Sequence, residues 1–138
     1  MRNTLGIATA LAVFACGNAL ATGMTHGEYK AREARILANY EADRQKCGAG
    51  IGNGVDLCVA KARGARKIAS AELEAAYKPS LATNYDAAIA RAQANYAITN
   101  EECNDKDAMT RKVCERVAKA ALERAEAEAV AAMKTASR

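Results

Sequence analysis

The chain has 138 residues, a formal net charge of +4 and 51% hydrophobic residues. Most of that apolar content is alanine, because residues 22–138 contain 29 alanines, only 15 leucine, isoleucine and valine residues together, and no phenylalanine or tryptophan. Alanine favours helices but buries little apolar area. The composition therefore excludes a large hydrophobic core and predicts helices of marginal tertiary stability. The weak positive charge does not indicate a nucleic-acid-binding protein.

The beginning of the chain has the pattern of a secretory signal peptide. Arg2 precedes an apolar run at residues 5–16, and small residues stand at the minus-three and minus-one positions of a cleavage site after Ala21. We therefore predict an exported, periplasmic protein without a transmembrane span in the mature chain, since the apolar run is too short to cross a bilayer. The alternative is a lipid anchor, because residues 13–17 resemble the lipobox of bacterial lipoproteins, in which Cys16 is acylated.

The mature chain contains an internal repeat with an offset of 56 residues. The offset aligns Tyr29 with Tyr85, Tyr40 with Tyr96, Cys47 with Cys103 and Cys58 with Cys114, and it also relates Arg35 to Arg91 and Glu72 to Glu128. A repeat longer than one helix indicates two tandem supersecondary units. We therefore divide the chain into a signal peptide at residues 1–21, a first helical-hairpin repeat at 22–78 and a second at 79–138.

The first helix of the first repeat is predicted at residues 28–46. Its apolar and aromatic residues recur at helical spacing on one face, at Tyr29, Ile36, Tyr40 and Cys47. A short polar lead at residues 22–27, which contains the only histidine, His26, precedes this helix. The histidine is therefore expected outside the helical part of the chain.

A glycine-rich turn at residues 48–54 separates this helix from the second one. The second helix is predicted to begin near Val55 or Asp56 and to stop before Pro79, because proline lacks an amide donor and clashes with the preceding turn. Gly64 lies inside this helix and is expected to weaken it by up to about 1 kcal/mol relative to alanine.

The second repeat follows the same plan. We predict a hinge at residues 80–84, a third helix at about 85–102, helix-capping residues at 104–107 and a fourth helix at about 108–133. Residues 134–138 are expected to fray from the end of the fourth helix.

The cysteine spacing favours one structural disulfide within each repeat, joining Cys47 to Cys58 and Cys103 to Cys114. The spacing is wrong for a Cys-x-x-Cys redox motif and, with no histidine nearby, for a zinc site. Pairing across the repeats, as in proteins with twin Cys-x9-Cys motifs, is the alternative connectivity. We predict an all-α fold of two tandem antiparallel hairpins, each closed by a disulfide near its turn. The hairpins either pack side by side as a four-helix bundle or stay strung out across Pro79.

The densest basic cluster consists of Lys61, Arg63, Arg66 and Lys67. A solvated helix face is the ordinary explanation of such a cluster, and a weak site for anionic lipid or polysaccharide is the functional alternative. The glycine-rich turn lacks the Gly-Lys-Ser/Thr ending of a phosphate-binding loop. No set of residues in the sequence predicts a catalytic, cofactor-binding or metal site.

The tyrosine and cysteine repeats, together with the junction Tyr77-Lys78-Pro79-Ser80, resemble a group of small, alanine-rich exported proteins of Gram-negative bacteria. The resemblance covers residues 28–134, and this chain departs from it mainly in its glycine-rich first turn. It implies a periplasmic helical protein and transfers no active site.

The resulting hypothesis is a non-enzymatic periplasmic protein without a cofactor, which associates through its helix faces with an unidentified protein or with its own copies. The alternative is a protein that contacts an anionic envelope surface through the basic cluster, or one anchored through Cys16.

Overall fold

The computed structural model describes residues 23–48 and 51–138. Within them the chain forms four α-helices and no strand: α1 His26–Cys47, α2 Asn53–Tyr77, α3 Leu81–Cys103 and α4 Ala108–Ala136. Helices α1 and α2 pack as one hairpin, and α3 and α4 pack as the other. The predicted all-α class and the two hairpins are confirmed. The predicted signal peptide at residues 1–21 and Cys16 lie outside the described residues.

Helix α1 begins earlier than predicted because its first turn is capped by side chains. The Thr25 hydroxyl accepts a hydrogen bond from the Glu28 amide, and the Glu28 carboxylate accepts one from the Thr25 amide at 2.8 Å. This reciprocal pair is a capping box, and it holds the pKa of the Glu28 carboxyl below its usual range. The prediction that His26 belongs to a polar lead is therefore wrong, since His26 is the first residue of α1.

The turn between α1 and α2 depends on Gly52. Its φ of 64° is the only positive φ among the described residues, and with its ψ of −155° it adopts a backbone conformation that only glycine reaches without strain. Helix α2 begins directly afterwards at Asn53, two or three residues before the predicted start at Val55 or Asp56. The Asn53 side-chain amide donates a hydrogen bond to the backbone carbonyl of Glu101 at 2.9 Å, so the start of α2 is tied to the end of α3.

The connection between the hairpins is shorter than the predicted hinge at residues 80–84. Helix α2 ends at Tyr77, as Pro79 predicts, and α3 begins at Leu81. Ser80 caps α3 through a reciprocal pair of hydrogen bonds with Thr83, each 3.0 Å long. The predicted hinge at residues 80–84 is wrong because the Ser80–Thr83 cap allows α3 to begin at Leu81.

The start of α4 agrees with the predicted capping residues. The Asp107 carboxylate accepts hydrogen bonds from the amides of Met109 at 3.1 Å and Thr110 at 3.2 Å. The hydrogen bonds from Thr110 are the main cause of the lowered pKa of Asp107. At its other end, α4 continues to Ala136 through residues that were expected to fray.

Each hairpin is closed by a disulfide at its turn, with pairs Cys47–Cys58 and Cys103–Cys114. The Cα atoms of the partners are 5.5 Å and 5.7 Å apart, inside the normal range for a disulfide. The pairing within each repeat is confirmed, and the alternative pairing across the repeats is wrong. Cys47 is buried and Cys103 is completely buried, so each disulfide has one cysteine in the core.

The four helices form an open row. Helix α2 packs against α1 and α3, and α3 packs against α2 and α4. In the described part of the chain, α1 contacts only α2, and α4 contacts only α3. The hairpins therefore lie side by side through α2 and α3, and each end helix has an outward face without a neighbouring helix.

The α2–α3 interface is built from small side chains. A Cβ atom added to Gly64 would lie 3.3 Å from the Cβ of Ala94 and 3.1 Å from the Cδ1 of Ile98. Ala94 is 2% exposed, and Ala87 and Ala90 on the same helix are also buried. Gly64 was expected only to weaken α2, but the structure shows that its missing side chain allows α2 and α3 to approach.

Replacing Gly64 by leucine should lower the free energy of unfolding by about 1–3 kcal/mol, because the new side chain must enter an interface without free space. Urea unfolding followed by circular dichroism measures the loss. The control is Ala97→Leu, where the replaced alanine is exposed on α3. That control should change the free energy by less than about 0.5 kcal/mol. An equal loss in both variants would contradict the close α2–α3 contact.

Removing the second disulfide with Cys103→Ala and Cys114→Ala should lower the free energy of unfolding by about 3 kcal/mol, since the unfolded chain regains the entropy of an open loop. The same urea titration measures the effect, and reduction of the unmodified protein should cause a loss in the same direction. Alkylation of the native protein without reductant should leave Cys47, Cys58, Cys103 and Cys114 unmodified. Modification of all four would show that the disulfides are absent.

Candidate functional site

The structure assembles a groove along one side of α2, with walls from α1 and α3. Its volume is about 640 Å³. Two tyrosines come from α1 and most of the floor comes from α2: Tyr29, Tyr40, Arg63, Arg66, Lys67, Ser70, Ala71, Glu74 and Ala90. The α2 residues recur every three or four positions, which places them on one face of the helix. We call this feature the Tyr–Arg groove.

One end of the Tyr–Arg groove is strongly cationic and centres on Tyr40. The guanidinium carbon of Arg66 lies 5.0 Å from the centre of the Tyr40 ring, and that of Arg44 lies 5.9 Å from it. Arg44 also donates a hydrogen bond to the Tyr40 hydroxyl at 3.3 Å. The hydrogen bond from Arg44, and secondarily the nearby guanidinium group of Arg63, lower the pKa of Tyr40. The ring therefore holds two guanidinium groups close together through cation–π contacts.

The other end of the groove is less basic and is organised by Glu74. The Glu74 carboxylate near the Tyr29 hydroxyl raises the pKa of Tyr29. Lys78 pairs with the same carboxylate at 3.1 Å and is the main cause of the lowered pKa of Glu74. The Tyr29 ring also stacks on the Tyr77 ring, with 4.4 Å between their centres. The two tyrosines of the groove thus have opposite pKa shifts, because one faces arginines and the other a carboxylate.

His26 lies beside this aromatic stack. Its Nδ1 is 3.3 Å from the Tyr77 hydroxyl, within hydrogen-bond distance. The sequence predicts His26 in a polar lead before α1, whereas the capped first turn of α1 brings it against the end of α2. In this structure His26 therefore helps to close the first hairpin at the end opposite the disulfide.

The predicted basic cluster is divided by the structure. Arg63, Arg66 and Lys67 share the Tyr–Arg groove. Lys61 instead points towards the end of α3, where its ammonium group lies 3.8 Å from the Glu102 carboxylate. Residues two positions apart on a helix do not face each other, so helical spacing alone could have separated Lys61 from Arg63.

The groove combines groups that suit an anionic ligand. Guanidinium groups recognise carboxylates, phosphates and sulfates through paired hydrogen bonds, and lysine adds a point charge. Lys67 already donates one hydrogen bond within the protein, to the Gln93 side chain on α3 at 2.6 Å. Tyr40 and Tyr29 could not be assigned to this site from the sequence, because tertiary packing of α1 on α2 brings them to it.

Within residues 23–48 and 51–138, the histidine, cysteine and acidic side chains do not form any group of three or more that could hold a metal ion.

Comparison of the chain with protein-family models, with curated proteins and with solved structures finds no match.

Proposed function

We propose that this is a non-enzymatic helical protein of the bacterial envelope that associates with protein through its outward helix faces. The observation that carries the proposal is a stripe of six apolar residues and one arginine on the side of α4 away from α3. We define the α4 outer face by the positions of this side: Met109, Val113, Val117, Ala120, Arg124, Ala127 and Ala131. All seven residues are exposed.

Three large apolar side chains are exposed at one end of the α4 outer face. Met109 is 81% exposed, Val113 50% and Val117 64%. They lie four residues apart, so they form a continuous strip along the helix. Scattered exposed apolar residues are ordinary, whereas a contiguous strip marks an interaction surface.

The proposed location in the periplasm has three kinds of support. The predicted signal peptide directs export, the two disulfides suit an oxidising compartment, and the resemblance to exported alanine-rich proteins has the same implication. None of the helices formed by residues 23–48 and 51–138 combines the length and apolar character needed to cross a membrane.

A photoreactive residue at Val113 or Val117 of the exported protein should give protein adducts of discrete mass in intact cells, because this face is expected to be covered. The adducts are detected by immunoblot and identified by mass spectrometry. Lys119 is the control position, since it is exposed two residues further on and lies on another side of α4. Absence of adducts at Val113 and Val117, or equal yields at Lys119, would count against the proposal.

A second candidate function is binding of an anionic envelope surface through the Tyr–Arg groove. It is favoured by the arginines that Tyr40 holds together at one end of the groove. Acylation of Cys16 would add a lipid anchor to the same function, and the intact mass of the exported protein reports it.

Neutralising the groove with Arg63→Gln, Arg66→Gln and Lys67→Gln should weaken co-sedimentation with phosphatidylglycerol-containing vesicles by up to about a hundredfold, since each cation near an anionic surface contributes about 1 kcal/mol. The control variant carries Lys112→Gln, Arg116→Gln and Lys119→Gln, which remove the same charge from α4. Equal binding by the groove variant and the unmodified protein would eliminate this function.

A further inference from the structure

The α2–α3 interface provides a template for how a helix packs against the next hairpin. Its register is set by four polar links and one close contact: Asn53 to Glu101, Lys61 to Glu102, Lys67 to Gln93, Glu72 to Arg91, and Gly64 against Ala94. Leu57 and Ile68 lie on the same side of α2 and are half-buried. This interface joins the two hairpins of one chain.

The α4 outer face occupies the positions that correspond to this side of α2. An offset of 56 residues relates Asn53 to Met109, Leu57 to Val113, Lys61 to Val117 and Gly64 to Ala120. The α2 members are buried, half-buried or ion-paired, whereas the α4 members are all exposed. Where α2 carries the polar residues Asn53 and Lys61, the exposed α4 carries Met109 and Val117, and the opposite exchange occurs once, where Ile68 corresponds to Arg124. The two exchanges of a polar for an apolar residue are unfavourable for a face in water and favourable for one that is covered.

The outward face of α1 corresponds in the same way to the side of α3 that packs on α2. Ala87, Ala90 and Ala94 of α3 are buried in the template interface. Their counterparts 56 residues earlier are Ala31, Ala34 and Ala38, and all three are exposed on α1. The α4 outer face is thus matched by a surface of small side chains that a larger apolar strip can approach closely.

The outward sides of α4 and α1 also carry charged residues of opposite sign at corresponding positions. Glu72 and Arg91 form an ion pair between the hairpins, and their counterparts are Glu128 on α4 and Arg35 on α1. Helices α1 and α4 do not touch within the described residues of one chain. Glu128, which lies 3.8 Å from Arg124 of its own helix, can therefore reach an Arg35 only in a second copy. The counterparts of Lys61 and Glu102 are Val117 and Lys46, which avoids a contact between like charges at that position.

We infer that copies of this chain associate head to tail, with α4 of one copy packed on α1 of the next in the register of the α2–α3 interface. This inference rests on the proposed function and specifies its partner as a second copy. Each copy binds one neighbour through its α4 outer face and another through its α1 face, so the association is heterologous. It produces a ring if the rotation closes and a growing chain if it does not.

Two variants that block one face each can test this inference. Ala38→Arg places a charged side chain on the α1 face, and Ala120→Arg places one on the α4 outer face. Both positions are exposed helical alanines, and arginine is a good helix former, so circular dichroism should show unchanged helix content. The control is Ala97→Arg, an exposed position on α3 outside both faces.

Light scattering after size exclusion is expected to show species larger than a dimer for the unmodified exported protein and for the Ala97→Arg control, growing with concentration. Each blocked variant alone should be monomeric. Their equimolar mixture should form a dimer and nothing larger, because it offers one free α4 outer face and one free α1 face. A mixture that stays monomeric, or a dimer formed by Ala38→Arg alone through two α4 faces, would overturn the inference. Monomeric unmodified protein would also overturn it, yet adducts at Val113 with a different protein would leave the proposed function standing.

Discussion

The close approach of α2 and α3 at Gly64 determines how the whole row of helices is arranged. Each disulfide joins the two helices of one hairpin, so neither constrains one hairpin relative to the other. That relation depends on a noncovalent interface in which a missing side chain faces Ala94 and Ile98. The chain thus relies on covalent links within each repeat and on small-residue packing between repeats.

Most buried residues are alanines, and for this reason the two disulfides are important for the stability of the fold. The only buried apolar residues larger than alanine in the described part of the chain are Leu73 and the cysteines Cys47 and Cys103. Burial stabilises roughly in proportion to the apolar area removed from water, and alanine contributes little area. A structure of this kind gains from any interaction that lowers the entropy of its unfolded chain, which is what a disulfide does.

Local sequence signals predicted much of the fold. The cysteine spacing indicated the pairing within each repeat, Pro79 marked the end of α2, and the acidic residues before α4 marked its cap. The predicted helix boundaries are wrong at two short capping motifs. Thr25 with Glu28 starts α1 earlier, and Ser80 with Thr83 shortens the connection between the hairpins.

The candidate site was less predictable, because it depends on which side of each helix faces a neighbour. Arg63, Arg66 and Lys67 were recognisable as a basic cluster, but Lys61 belongs to a different side of α2. The contribution of Tyr40 follows from packing of α1 on α2, and single-helix periodicity contains no information about that pairing. The open row of helices, and therefore the exposure of the α4 outer face, likewise comes from contacts between helices.

The hydrogen bond from Asn53 to Glu101 brings the two disulfide-closed turns to the same end of the molecule. The opposite end has no disulfide among the described residues, and there the first hairpin is held by the stacked rings of Tyr29 and Tyr77. In the second hairpin the residue 56 positions after Tyr77 is Met133, which lines a groove with Tyr85 instead of an aromatic stack. We therefore expect graded rigidity, with the backbone amides best protected from hydrogen exchange beside the disulfides and the helices separating first at the opposite end, above all in the second hairpin.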